Sequence, residues 1–283
     1  MPENGWRFRW SAFGGASAYL PFLSLQFLLF FFLSLYSFFP PSSWAATVAA
    51  VIDGDTVRLD DGNIVRYLGV NTPEHGQPFY EEARRFNAQL VLGKPVRLET
   101  RERERDKYRR ELAYVFVDDV LVNAQIVTEG WGHVFILDPL PQTEEWLRLQ
   151  KQAQDQHKGI WRNGARGPLK ITTVHANAKG DDRRNPNGEY LRLCNISDRP
   201  ITLQGFAVQD AAQHRFVFSE GTIQPGYTAL LVSGRGKNAR RRSRQVFYWG
   251  AGPIWNNDGD TASLFDPAGK LIDSFRVMPV RKR

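Results

Sequence analysis

A single cysteine, Cys194, stands among 283 residues. That excludes a disulfide within the chain, so stability in an oxidising compartment has to come from packing or bound ions. The lone thiol reads as an ordinary strand residue, with pairing between chains the alternative for an exported protein. Charge is missing altogether between Arg9 and Asp53. Asp53-Gly54-Asp55 lacks the remaining ligands of an EF-hand loop, because Val57 and Leu59 stand where further oxygen ligands belong. Gly234-Arg235-Gly236-Lys237 has no glycine five positions before Gly236, which excludes a phosphate-binding P-loop. Helical periodicity is absent from Lys170 onward.

What is present is ordinary in bulk and informative in its distribution. Hydrophobic residues make up 42% and charged residues 24%, which excludes a chain disordered throughout, and the length suggests two domains. The net charge of +7 is not spread evenly. Residues 163–283 carry 19 Lys/Arg against 10 Asp/Glu, whereas residues 47–162 carry 16 against 19. The basic excess therefore belongs to the C-terminal part.

The uncharged stretch is a targeting segment. Leu20 to Phe39, about 20 residues of mostly apolar character, follows Arg7 and Arg9 and precedes small residues at Ala45 and Ala46. This is the pattern of a secretory signal cleaved after Ala45 or Ala46. Uncleaved, the same run is long enough to anchor the chain in a bilayer with its positive end inside. Either way, residues 1–46 direct the rest beyond the cytoplasm, secreted or held on a membrane.

Residues 47–162 alternate strand and helix signals. Val48–Leu59 and Asn63–Val70 flank the Asp60-Asp61-Gly62 turn and read as a hairpin; Pro95–Thr100 and Glu111–Val117 read as further strands. Phe79–Leu92 and Val122–Gly130 read as helices. A third helix follows Thr143 as its cap, with Glu144 and Glu145 in its first turn and Trp146, Leu149 and Ala153 on its buried face. Five strands with three short helices predict a small closed barrel with helices packed on it. Set into this apolar frame are Asp55, Arg66, Glu74 and Arg110. Cleaving a phosphodiester needs a base to deprotonate water, positive groups to stabilise a pentacoordinate dianion and, commonly, a hard cation on the phosphate. Carboxylates, amide oxygens and backbone carbonyls suit calcium, and arginine offers paired donors to phosphate oxygens.

The segments IDGDTVRL, VRYLGVNTPE, DKYRRELAYVFV, VNAQIVTEGW and KGIW, in that order over about Ala46 to Trp161, closely resemble the staphylococcal nuclease family. The resemblance implies an OB-type barrel that uses one Ca2+ to hydrolyse DNA and RNA at the 5′ P–O bond, leaving a 3′-phosphate. It also assigns roles. Asp55 and Asn71 fall on metal ligands, with Thr72 supplying a backbone carbonyl. Glu74 falls on the general base, and Arg66 and Arg110 on the phosphate clamp. Lys107 and Tyr108 border the bound nucleotide, beside Arg109. Two departures stand out. Asn71 replaces an aspartate, which removes one negative charge and implies weaker metal binding. Arg109 replaces a glycine directly before the clamp, so it either carries positive-φ strain or adds a phosphate contact. A non-catalytic nucleic-acid-binding surface protein with a degenerate barrel is the alternative, favoured by Asn71 alone. In a third reading the C-terminal domain serves a structural surface role and the barrel is a relic.

After a linker at 163–169, residues 170–277 carry short strands between Gly, Pro and Asn turns, the texture of a β-sandwich. NGEYLRLCNIS, ITLQGFAVQD, FVFSEGTIQPG and IWNNDGDTASLFDPAGKLIDSF resemble the lamin-tail domain, which implies an immunoglobulin-like sandwich and, in bacterial exported or surface nucleases, a binding module. The whole is expected to be mainly β with three helices. Arg235, Lys237, Arg240, Arg241, Arg242 and Arg244, with the basic tail at 278–283, form a candidate tether for phosphate backbone or an anionic envelope polymer.

Overall fold

In the computed structural model the described residues are 46–164, 167–241 and 244–279, without the side chains of 101–104, 241 and 244. Residues 1–45, expected to be a targeting segment, Arg242 and the end of the basic tail lie outside them, as do the Arg241 and Arg244 side chains.

The apolar β-branched run from Ala46 does not stay one strand. Gly54 and Asp55 turn it, giving β1 (Ala46–Asp53) and β2 (Thr56–Leu59), and the Asp60–Gly62 turn then adds β3 (Ile64–Tyr67). The expected single hairpin is therefore a three-stranded meander. After β4 (Val70–Asn71) come β5 (Pro95–Arg105), β6 (Glu111–Val117), β7 (Val120–Leu121) and β8 (His133–Val134). The first sheet runs β3-β2-β1-β5-β6-β7, and a parallel pairing of β3 with β6 closes it into the expected barrel. Its interior holds Val48, Val57, Val65, Val96, Ala113 and Val115, each fully buried.

Three helices cover this barrel: α1 (Tyr80–Val91), α2 (Val122–Thr128) and α3 (Thr143–Asp155). Glu81 and Glu82 favour the positive N-terminal end of α1, as Glu144 and Glu145 do for α3. Thr143 is not the cap of α3 but its first residue; Gln142 precedes it, and the Thr143 hydroxyl donates back to the Leu140 carbonyl at 2.7 Å. Trp146 packs onto Gly69, whose φ of 73° and lack of a side chain leave room for the indole.

Eleven short strands follow: β9 (Leu169–His175), β10 (Tyr190–Asn195), β11 (Ile201–Thr202), β12 (Ala207–Gln209), β13 (Arg215–Val217), β14 (Thr222–Ile223), β15 (Thr228–Val232), β16 (Ala239–Arg241), β17 (Arg244–Tyr248), β18 (Asp260–Phe265) and β19 (Leu271–Val277). They form the sheets β16-β17-β15-β10-β9 and β13-β12-β18-β19, with β11 paired to β14. Ile171, Leu191, Leu193, Leu231, Val208, Ala262 and Leu264 fill the core between the sheets, as an immunoglobulin-like sandwich requires. The basic segment from Arg235 is partly an edge hairpin of β16 and β17 rather than a plain loop.

Barrel and sandwich share a seam. Ile136 bridges Tyr227 in parallel fashion, and its amide donates to the Gly226 carbonyl at 2.8 Å. Gln150 of α3 accepts from the Val134 amide at 2.7 Å and donates to the Ile196 carbonyl at 2.9 Å. Ala153, Trp161, Cys194 and Ile196 form a small core of their own there. Burying a large apolar side chain of this kind contributes about 1.5–3 kcal/mol. Cys194 is fully buried in this seam, and burial pushes its thiol well up from the ordinary range. That makes it an inert packing residue.

Candidate active site

The turn between β1 and β2 and the register of β2 against β3 create the site. Thr56 pairs with Arg66, so the Arg66 side chain falls beside the Asp55 carboxylate, Nε to Oδ1 at 3.0 Å. The second oxygen, Oδ2, accepts from the Thr72 amide at 2.8 Å and the Thr72 hydroxyl at 3.0 Å, while Thr56 donates to Oδ1 at 3.1 Å. Gly54 makes this close approach possible: a Cβ there would lie 2.7 Å from the Thr72 side chain. From below, Asn87 of α1 holds the turn by donating to the Asp53 carbonyl at 3.0 Å while accepting from the Tyr67 hydroxyl at 2.9 Å.

Arg66 is a brace as well as a cation. Its Nη1 donates to the carbonyls of Tyr67 and Val70, both at 2.7 Å, and its Nη2 to Asn71 Oδ1 at 3.1 Å. Asn71 in turn faces Thr72 O at 3.3 Å and His133 Nε2 at 3.5 Å through its amide nitrogen. His133, opposite Asn71 in the β4–β8 pair, has Nδ1 at 3.0 Å from the Val134 carbonyl. Burial lowers the imidazole to about 4. It is therefore neutral, with a proton on Nδ1 for the carbonyl, which leaves Nε2 to accept from Asn71. The Asn71 amide oxygen is thereby turned toward Arg66. Asp55, Arg66, Asn71 and Thr72 form one buried cluster.

Glu74 lies exposed on the loop beyond, its amide donating to Gln77 Oε1 at 2.9 Å. Its carboxyl is reachable from solvent yet recessed enough for desolvation to raise it above the usual carboxylate range; the Asp55 charge raises it further, while Arg66 and Arg110 pull it down. Arg110 projects from the start of the β6 side of a tight turn. Asp106 fixes it there, accepting Nε at 2.7 Å through Oδ2 and the amides of Tyr108 and Arg110 through Oδ1. No hydrogen bond engages the Arg110 terminal nitrogens among the described residues. Arg109 has φ 66° in this turn and is exposed, so the strain anticipated for a non-glycine there is present in the backbone. Lys107 and Tyr108 sit at its exposed tip, Tyr108 being 57% exposed.

Three contributors escape a reading of the sequence. Asp53, half-buried, has its carboxyl raised to about 8, first by burial and then by the Asp55 charge. Its Oδ1 accepts from the Asp55 amide at 3.0 Å. The Asp-Gly-Asp repeat was its only signal. Asp106 orients Arg110, and its position four residues earlier could have suggested that. His133 could not have been found, because only the β4–β8 register brings it to Asn71. His75 is an exposed loop residue packed edge-on to Tyr80. In the Asn256–Asp260 stretch the Asp260 carboxylate accepts from the amides of Asn256, Ala211 and Thr261, the bonding of a turn.

Of the candidate tether, Arg235, Lys237 and Arg240 are exposed on the sandwich, and Arg240 lines a cavity with Asp138 and Pro139 of the barrel. None of them enters the carboxylate–guanidinium cluster.

Among the described residues no three His, Cys, Asp or Glu side chains are grouped to hold a metal. The oxygens at the cluster are the Asp55 side chain, the Asn71 amide oxygen and the Thr72 carbonyl, with the raised carboxyls of Asp53 and Glu74 close by. This is a hard-oxygen set that fits calcium and leaves little for zinc.

A closed barrel presenting carboxylates against two arginines, fused to an immunoglobulin-like sandwich, defines a class of two-part barrel proteins. Within that class, the staphylococcal nuclease homologue model matches residues 64–163 and the lamin-tail domain model residues 162–278. The chain is 37% identical over 126 residues to the thermonuclease of Staphylococcus hyicus, covering 41% of this chain and 75% of that protein. To the thermonuclease of Staphylococcus intermedius it is 36% identical over 124 residues, covering 40% and 74%. To endonuclease YncB of Bacillus subtilis it is 35% identical over 127 residues, covering 41% and 60%. The chain belongs to the staphylococcal nuclease family, with a lamin-tail domain following the nuclease region.

Proposed function

We propose that this protein is a calcium-dependent nuclease exported from the cytoplasm, hydrolysing phosphodiester bonds of DNA or RNA. The observation that carries the reading is the buried cluster in which Arg66 lies 3.0 Å from Asp55 and 3.1 Å from Asn71 Oδ1, with Arg110 held by Asp106 and the Glu74 carboxyl, raised mainly by desolvation, nearby. One acidic pocket thus holds a base candidate within the fields of two guanidinium groups. Family membership and the named nuclease relatives support the same activity. Asp55, Asn71 Oδ1 and the Thr72 carbonyl would hold Ca2+, which when bound neutralises phosphate charge. Asn71 provides no formal charge, so affinity for the ion is weaker than an aspartate would give.

Glu74, made more basic by desolvation, takes a proton from the attacking water. The hydroxide forms a bond to phosphorus as the bond to the 5′ oxygen breaks, and that oxygen takes a proton from solvent. Arg110, its Nε tied to Asp106, turns its terminal nitrogens to the equatorial phosphate oxygens. Arg66 holds Asp55 and Asn71 in place and adds positive charge beside them. The uncharged leader before Ala46 underlies the proposed export.

The test is cleavage of plasmid DNA and of single-stranded RNA by the purified chain, with Ca2+ and with chelator. We expect cleavage only with Ca2+. Glu74→Gln, Arg66→Ala and Arg110→Ala should each lower kcat by about 10²–10³. Failure of the wild-type chain to cut either polymer with Ca2+ overturns the reading, and a variant retaining full kcat removes its residue from the site.

A further inference from the structure

The strand β10 alternates. Leu191 and Leu193 are fully buried in the sandwich core, which leaves Tyr190, Arg192 and Cys194 on the opposite face. That face is turned to the barrel. At one end Cys194 packs into the seam, its sulfur 3.9 Å from His133 Nδ1. At the other end Tyr190 meets the tip of the β5–β6 turn, where the Lys107 ammonium donates a hydrogen bond to the Tyr190 hydroxyl. The same ammonium lies 4.6 Å from the Tyr190 ring centroid and 4.8 Å from that of Tyr108. One lysine thus stands between two tyrosines, one from each domain.

Both sides of this arrangement are fixed. Asp106 clamps the turn that carries Lys107 and Tyr108. Tyr190 sits on an inner strand, paired to His175 on one side and Val232 on the other. The His175 ring lies parallel to it at 5.1 Å, and the Arg192 guanidinium is 6.0 Å from its centroid. Further along the seam Arg192 donates to Thr228, and Thr228 lines the same cavity as Arg240. Aromatic rings interleaved with cations, leading away from a phosphodiester site, are the chemistry of single-stranded nucleic-acid binding: rings stack bases without sequence preference, and cations follow the phosphates.

We propose that the sandwich forms part of the substrate groove, Tyr190 with His175 providing a stacking platform that continues the barrel's Lys107–Tyr108 subsite for a nucleotide flanking the scissile bond. Lys107 then takes the intervening phosphate, and Arg192 the next one along the seam. The C-terminal domain is in this respect a working wall of the cleft rather than a remote tether. The inference rests on the nuclease reading and names how the substrate lies on that site.

Base stacking on an aromatic side chain is worth about 1–3 kcal/mol, so its loss is read as a length-dependent effect. The full chain and its Tyr190→Ala, Tyr190→Phe and His175→Ala variants are compared on a dinucleotide and on a 12-nucleotide single strand. In parallel, binding of the 12-mer is followed by fluorescence anisotropy with Ca2+ and with chelator. Tyr190→Ala should raise the ratio of KM for the 12-mer to KM for the dinucleotide about 5- to 150-fold, and weaken 12-mer binding by a similar factor. Tyr190→Phe, which keeps the ring and loses the hydroxyl, should move that ratio less than about 2-fold. Equal KM shifts on both substrates, or a Phe variant matching the Ala variant, would mean that Tyr190 merely positions Lys107, and the proposal falls. An unchanged ratio overturns it as well. Should Tyr190→Ala fail to fold by circular dichroism, His175→Ala carries the same test with the same outcomes. A wild-type chain that binds the 12-mer but cuts nothing counts against the nuclease reading alone, because the binding arm still decides the platform.

Discussion

At the scale of single residues, the two departures from the family pattern have different consequences. Arg109 occupies φ 66°, a conformation that costs an L-residue with a side chain about 1–2 kcal/mol. Glycine would relieve that strain but would also gain freedom in the unfolded chain, offsetting part of it. The expected net effect of Arg109→Gly is a stabilisation of about 0.5–1 kcal/mol, read as a higher urea midpoint at unchanged slope. A lower midpoint would show that the Arg109 side chain makes contacts worth more than the strain. Asn71 keeps an amide oxygen where its charge is lost, and the neutral His133 behind it fixes which way that oxygen points. A second residue-scale expectation concerns Glu189, fully buried in the sandwich, whose Oε2 accepts from the Ile254 amide at 2.8 Å. Burial raises its carboxyl above the ordinary value of 4.5, against the pull of the Ile254 and Trp255 amides. The folded state therefore binds this proton more tightly than the unfolded state. Its contribution to stability is complete below about pH 4.5 and is lost as pH rises through the folded value. Tm should fall as pH is raised from 4.5 toward 7, and Glu189→Gln should flatten that slope; an equal or steeper slope in the variant would exclude Glu189 as its source.

At the scale of elements, the seam depends on one side chain of α3. Gln150 satisfies the Val134 amide of β8 and reaches the Ile196 carbonyl across the domain boundary, and Gln154 reaches the same carbonyl at 2.8 Å. Gln150→Ala leaves the buried Val134 amide without a partner, which costs about 1–3 kcal/mol. Gln154→Ala leaves Ile196 O still bonded to Gln150, so its cost should be well under half as much. Chemical denaturation of both variants checks the ranking, and equal losses would contradict it. Helix positions were legible in the sequence because apolar residues recur at helical spacing, as with Trp146, Leu149 and Ala153. Their ends were less so: Thr143 has the chemistry of a cap, yet its hydroxyl bonds the preceding turn instead. The run Val48–Leu59 read as one strand because its apolar character continues through Asp53-Gly54-Asp55. The break there is a tertiary effect, set by the closeness of Thr72 to Gly54.

At the scale of the whole molecule, the barrel and sandwich join through Ile136, Trp161, Cys194 and Ile196 and through hydrogen bonds between buried backbone groups. Separating them would expose that apolar surface and orphan those groups, so the two parts are coupled energetically. Calorimetry of the full chain should show a single cooperative transition; two resolved transitions would mean that the seam contributes little. The same rigidity is what allows Tyr190 to stand beside a loop 83 positions away in the chain.

By itself the sequence determined the element types and the presence of a barrel followed by a sandwich, and it singled out Asp55, Arg66, Asn71, Thr72, Glu74 and Arg110 as candidates. Those depend on local periodicity, turn chemistry and ordered motifs, all written along the chain. Only the tertiary structure decided that Arg66 braces Asp55 and Asn71, that His133 orients the amide, that Asp53 joins the acidic pocket, and that the second domain meets the first at Lys107. Each of these arises from strand register or from burial between segments distant in sequence, where distance and desolvation act and spacing along the chain carries no information.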